Sequence, residues 1–235
     1  YVYDYAGMRA ANVGGTEEIL RLCASGRPKV LNHISTTFIF GWSVKDTLFE
    51  HDRNEEVDRL DFGYAQTKWV SEQLVHEAMD RGLRGRVFRP ALLTPSVDGR
   101  GSNFDIAIRL LAFMIKYGLG TSAGNQVSFC PADIAACNIV AICGDPASLD
   151  RTFNVTRDEY ASMGDITQLL GDMSGAGFEH LRLSDFVPAL ISRCGRDDIL
   201  FPLLNFLVRS NANISAMEFK RYDNSNFKTA RDSSR

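Results

Sequence analysis

Residues 63–75 read GYAQTKWVSEQLV, and their reading decides the fold. Tyr64 and Lys68 stand four apart at the start of a helical pattern that runs to Met79, so both project from one face. Trp69, Leu74, Val75 and Met79 share a side of this helix, with Lys and Glu on the other. A lysine ammonium at this spacing can hydrogen-bond a ribose while its charge lowers the tyrosine pKa. A tyrosine so tuned can pass a proton to or from a carbonyl oxygen near neutral pH. Taken alone, the spacing is equally that of an ordinary amphipathic helix.

The flanking segments change that weighting. Upstream, KVLNHI at Lys29–Ile34 reads as a short buried strand, and HISTTFIFG at residues 33–41 places Ser35, Thr36 and Thr37 at its end. In an open α/β sheet, ligands sit outside the carboxyl ends of the strands. A threonine hydroxyl there can donate to a substrate carbonyl and stabilise the negative charge that develops on it. Downstream, RVFRPALL at Arg86–Leu93 is the next strand, with Pro90 near its end. Strand–helix–strand alternation implies parallel pairing.

Further out, Asn12–Cys23 is helical and stops at Gly26 and Pro28. Lys45–Asp61 is a polar surface loop, its acidic run Asp52–Asp61 solvated. An amphipathic helix is predicted over Asn103–Tyr117, with Asn103 as N-cap, Gly118 as stop, and Phe104, Leu110, Leu111, Phe113 and Met114 as core. Another covers Pro131–Cys143, with Asp133 near the positive end of its dipole. Thr152–Val155 is a strand, and Asp165–Met173, Ser184–Arg193 and Ile199–Val208 are helical, ahead of a polar tail. The expected architecture is an α/β Rossmann-like parallel sheet over residues 1–158 with a small helical C-terminal lobe and tail over 159–235. Phe186, Pro188, Leu190 and Phe201–Val208 are apolar enough to pack over a substrate entrance.

The 235 residues are 45% hydrophobic and 23% charged, with a net charge of −3. No basic surplus exists to neutralise phosphates, so no nucleic-acid partner is expected. No apolar run approaches the ~20 residues of a membrane span. Five scattered cysteines, Cys23, Cys130, Cys137, Cys143 and Cys194, read as small core hydrophobes in a reducing, cytoplasmic setting. No metal site is expected, since neither the cysteines nor His33, His51, His76 and His180 have ligand spacing. HExxH, GxSxG and GxxxxGK[ST] are absent, which argues against a zinc protease, a serine hydrolase and a P-loop enzyme.

The strings NVGGT (12–16), HISTTFIFG, GYAQTKWVSEQLV, FRPALLTPSVDGRGSNFD (88–105) and FCPADIAACNIVAI (129–142) together resemble the extended short-chain dehydrogenase/reductases. They are most similar to the thioester reductase domains that terminate nonribosomal peptide and polyketide synthetases, relatives of carboxylic acid and fatty acyl-CoA reductases. The likeness is dense over Ala10–Ile142. It implies a catalytic triad of Thr36, Tyr64 and Lys68. Thr36 would donate to the substrate carbonyl, with Ser35 the lesser candidate, Tyr64 would be the proton donor, and Lys68 would bind the ribose. It implies backbone at Pro90, Ala91 and Leu92 beside the nicotinamide, while Asn12 either lines the site or packs helices and Arg89 is either functional or structural.

The implied reaction is NADPH-dependent release of an acyl or peptidyl chain from a phosphopantetheine-bearing carrier protein, as an aldehyde or, after further reduction, an alcohol. The family opens with a glycine-rich turn, GxxGxxG, between strand and helix. Gly14-Gly15 follows a helix-like stretch and does not match it, and the first residue is Tyr1, so the chain reads as the C-terminal two-thirds of a reductase. Two alternatives stand: a sugar-nucleotide epimerase or dehydratase of the same superfamily, and a non-catalytic truncated fragment.

Overall fold

The computed structural model describes residues 3–100, 106–216 and 220–234. Helix α1 (Tyr5–Arg9) passes through a π turn at Ala10–Gly14 into α2 (Gly15–Ala24). Strand β1 (Leu31–Ile34) leads to a 3-10 turn at Thr37–Phe40, and a long excursion carries β2 (Thr47–Leu48) before α3 (Gly63–Asp80). Then follow β3 (Gly85–Pro90), β4 (Leu92–Thr94), α4 (Ile106–Tyr117), β5 (Leu119–Thr121), β6 (Gln126–Val127), β7 (Phe129–Pro131) and α5 (Ala132–Gly144). The remainder comprises β8 (Arg151–Val155), β9 (Ala161–Ser162), α6 (Met163–Ser174), β10 (Glu179–Leu181), α7 (Leu183–Arg193), α8 (Leu204–Ser215), β11 (Arg221–Tyr222) and α9 (Ser225–Ser233).

The expected parallel α/β sheet is present, in the order β1-β3-β8, with Ile34 opposite Phe88 and Pro90 opposite Val155. Every residue of β3 is buried, as a central parallel strand requires. Its side chains alternate between two helical layers. Val87 packs with Leu31, Val75 and Met79 beneath α2 and α3, while Phe88 packs with Phe153, Ile142 and Phe227 beneath α5 and α9. A separate apolar cluster joins Phe113 and Met114 of α4, on the N-terminal side of the expected boundary, to Phe186 and Leu190 of α7 and Leu203 and Leu207 at α8.

Several expectations fail for identifiable reasons. Lys29–Ile34 is a strand only from Leu31, and its edge is open among the described residues, leaving Val30 47% and Ile34 46% exposed. The excursion over residues 45–61 is not a solvated loop, because Leu48, Glu50, Asn54 and Leu60 are buried. Gly41 makes its return possible: φ is +49° and an added Cβ would sit 2.5 Å from the Arg59 carbonyl oxygen. In place of a polar tail, β11 pairs with β2, and α9 buries Phe227 and Ala230 against the sheet layer. Glu72 faces the interior of α3, not solvent. Cys130 is buried, but Cys137 is exposed. The predicted N-cap Asn103 and core residue Phe104 lie outside the described residues.

Candidate active site

The carboxyl ends of β1 and β3 lie side by side, and the chain leaves them as Ser35-Thr36 and Ala91-Leu92. Helix α3 brings Tyr64 to the same place. Thr36, Tyr64, Pro90, Ala91 and Leu92 line one cleft of about 180 Å³, together with Ser35, Phe38, Phe62, Leu93, Ile106, Leu203 and Phe206. Thr36 is buried, and its Oγ1 accepts the Phe38 amide at 3.2 Å, capping the turn that follows. Phe62 stacks beside Tyr64, at a centroid distance of 6.4 Å.

Lys68 does not line the cleft. Its Nζ donates to the Ile34 carbonyl at 2.6 Å, which ties it to the rim, since Ile34 is itself a lining residue. Burial pulls its pKa below the usual lysine value, against the opposing charge of Glu72. Asn12 is not a lining residue either. It sits in the π turn, donates from Nδ2 to Thr67 Oγ1 at 2.9 Å and accepts from Ser71 Oγ at 2.9 Å, so it locks the first helix onto α3. Close approach also needs Gly63, where a Cβ would run into the Tyr3–Asp4 backbone.

Arg89 is structural. Its guanidinium is buried under the site, bonded to Glu72 through Nε at 3.0 Å and Nη2 at 2.6 Å, and to the carbonyls of Glu50 and Asp52. It lies 5.0 Å over the Phe40 ring. His76 Nε2 meets the same Glu72 oxygen at 3.2 Å. Burial alone would raise the Glu72 pKa, but the charge and hydrogen bonds of Arg89, with His76, hold it down to about 2. This pair bolts the YxxxK helix to the strand that ends in Pro90. His33 is also structural: burial, reinforced by the Lys68 charge, lowers its pKa to about 4. Its Nε2 has no hydrogen-bond partner among the described residues.

Sequence reasoning missed the aromatic wall. Phe62 packs edge-on against Phe38 (5.8 Å) and against Phe206 of α8 (5.2 Å), which joins the lobe to the start of the YxxxK helix. Phe38 and Phe62 flank the two motifs in sequence, a signal that was available, whereas Phe206 comes from a segment read only as an apolar cover. Among the described residues no group of three or more His, Cys, Asp or Glu could hold a metal ion, and no helix is long and apolar enough to cross a membrane.

Fold and cleft define an α/β domain of the NAD-binding class. Residues 1–139 match the model of the NAD-binding family described as male sterility protein, and the chain belongs to that family. It is 31% identical to L-2-aminoadipate reductase of Schizosaccharomyces pombe over 233 residues, which cover 88% of this chain and 16% of that protein. A non-canonical nonribosomal peptide synthetase of Aspergillus hancockii is 29% identical over 219 residues, 88% of this chain and 21% of that protein. Among solved structures, the terminal R domain from the myxalamid PKS-NRPS biosynthetic pathway superposes with a TM-score of 0.89 at 29% identity, covering 99% of this chain and 59% of that domain. The resemblance drawn from the motifs therefore holds for family and fold, and the chain spans a small part of the curated relatives' length.

The residues present fit one end of an NAD-type cofactor. Pro90, Ala91 and Leu92 form an apolar wall beside Tyr64, suited to a flat ring. Lys68 uses one of three ammonium donors on Ile34 and keeps the others for hydroxyl groups. Gly14 and Gly15 lie within continuous helical backbone and form no strand-to-helix turn for a pyrophosphate.

Proposed function

We propose that this chain is the substrate-side part of an NADPH-dependent reductase that releases an acyl or peptidyl chain from a carrier protein's phosphopantetheine thioester as an aldehyde, or as an alcohol after a second reduction. One observation carries the reading: Thr36, Tyr64 and Pro90–Leu92 converge on a single apolar cleft, with Lys68 tied to its rim. Similarity to a terminal R domain along 99% of the chain supports it.

The bound nicotinamide would supply a hydride. The Thr36 oxygen already accepts from Phe38, so its own proton is the one to donate to the thioester carbonyl oxygen. Tyr64 adds a second donor from the facing helix and passes its proton as negative charge builds on that oxygen. The oxygen is then a hemithioacetal hydroxyl; as it returns its proton to Tyr64 the carbonyl re-forms, the C–S bond breaks and the carrier's thiolate leaves with the bonding electron pair. Lys68 would hold the ribose from the rim of the cleft. The apolar walls exclude water, which would otherwise hydrolyse the thioester.

Replacement of Tyr64 by Phe, in a polypeptide that carries this chain and binds NADPH, tests the assignment. Reduction of an acyl-pantetheine thioester is expected to fall by about 100-fold or more, the usual reach of a positioned proton donor. Calorimetric NADPH affinity is expected to stay where it was. Undiminished turnover in the variant would remove Tyr64 from the mechanism.

A further inference from the structure

We infer that the acyl chain this site takes is uncharged and apolar along the length that the cleft holds. The inference rests on the reductase reading above and names the substrate class of that same cleft. The polar side chains that line the cleft among the described residues are Ser35, Thr36 and Tyr64, and no charged one does. Of these, Thr36 and Tyr64 are the donors assigned to the carbonyl oxygen. The rest of the wall is apolar, with Phe62, Leu93, Ile106, Leu203 and Phe206 in it.

That wall is built, not incidental. Phe62 is gripped on two sides, by Phe38 and by Phe206. The residue before it, Asp61, accepts hydrogen bonds from Ser210 at 2.9 Å and Asn213 at 3.2 Å, both on α8. The lobe helix that contributes Phe206 is therefore clipped to the base of the YxxxK helix. A carboxylate or ammonium carried on the acyl chain would enter a pocket where the described residues supply no counter-charge and, beyond the two donors assigned to the carbonyl, only the Ser35 hydroxyl. Lys68, at the rim, is held by the Ile34 carbonyl. An unpaired charge moved from water into such a place is disfavoured far more than a methyl group is favoured.

Hexanoyl-pantetheine and adipoyl-pantetheine have the same chain length and differ by one terminal carboxylate. Titrated calorimetrically into this chain without a hydride donor, hexanoyl is expected to bind on the order of 100-fold more tightly. Phe206→Arg supplies the missing counter-charge and is expected to narrow or reverse the preference. Should that variant fail to fold, the wild-type comparison still decides. Equal affinities, tighter adipoyl binding, or no binding of either thioester would overturn the inference. Failure of the reductase reading shows elsewhere, as thioester binding without nicotinamide-dependent turnover.

Discussion

Two titratable side chains, half-buried His33 and buried Glu50, push stability in opposite directions with pH. His33 is held neutral, its pKa lowered from 6.5 to about 4, so the unfolded chain binds a proton between those values that the folded chain does not. Stability therefore rises with pH across that window. Glu50 is 2% exposed and accepts the backbone amides of Asn154 (3.0 Å), Asn226 (2.6 Å) and Phe227 (3.0 Å). Burial outweighs those donors and raises its pKa from 4.5 to about 7. Here the folded chain holds the extra proton, and stability falls as pH rises from 4.5 to 7. Each effect amounts to about 3 kcal/mol over its window and the two largely cancel between them. Urea melts of the wild type at successive pH values should be nearly flat over the overlap. His33→Asn should leave the falling slope and Glu50→Gln the rising one, and a variant with an unchanged profile would show that its residue does not titrate as described.

Among elements, the YxxxK helix and the strand ending in Pro90 were legible because each carries a local signature: an i, i+4 pair on helical periodicity, and a short run around Val87 and Phe88 closed by proline. Their attachment to each other was not. Glu72 reads as one more polar residue on a charged helix, and only the fold reveals Arg89 beside it, buried, seventeen positions on. The excursion at 45–61 misled for the same reason. Glu50 is polar in sequence, but its partners Asn154 and Phe227 lie 104 and 177 positions away. Removing one member of the buried pair strands the other charge. Glu72→Gln should therefore lower unfolding free energy by about 3–5 kcal/mol in denaturant titration. The double change Glu72→Leu with Arg89→Met should cost much less, because no charge is left unpaired. A loss near zero in the single variant would remove the pair from the frame that holds the site.

For the whole molecule, the cleft lies where the sheet's strand ends meet the helical lobe, with Thr36 and Tyr64 from one side and Leu203 and Phe206 from the other. The apolar segment 201–208 was expected over the entrance and supplies Leu203 and Phe206, whereas Phe186 and Leu190, expected there too, pack in the lobe's own core. In the proposed reaction this joint cleft couples thioester cleavage to hydride addition. The measurement that tests the coupling most directly follows two signals at once from acyl-pantetheine and NADPH: free thiol released and reduced nicotinamide consumed. Thiol is expected only when NADPH is present and in fixed ratio to its consumption, equal amounts for an aldehyde product. Thiol release that continues without NADPH would make the site a hydrolase and contradict the proposed chemistry.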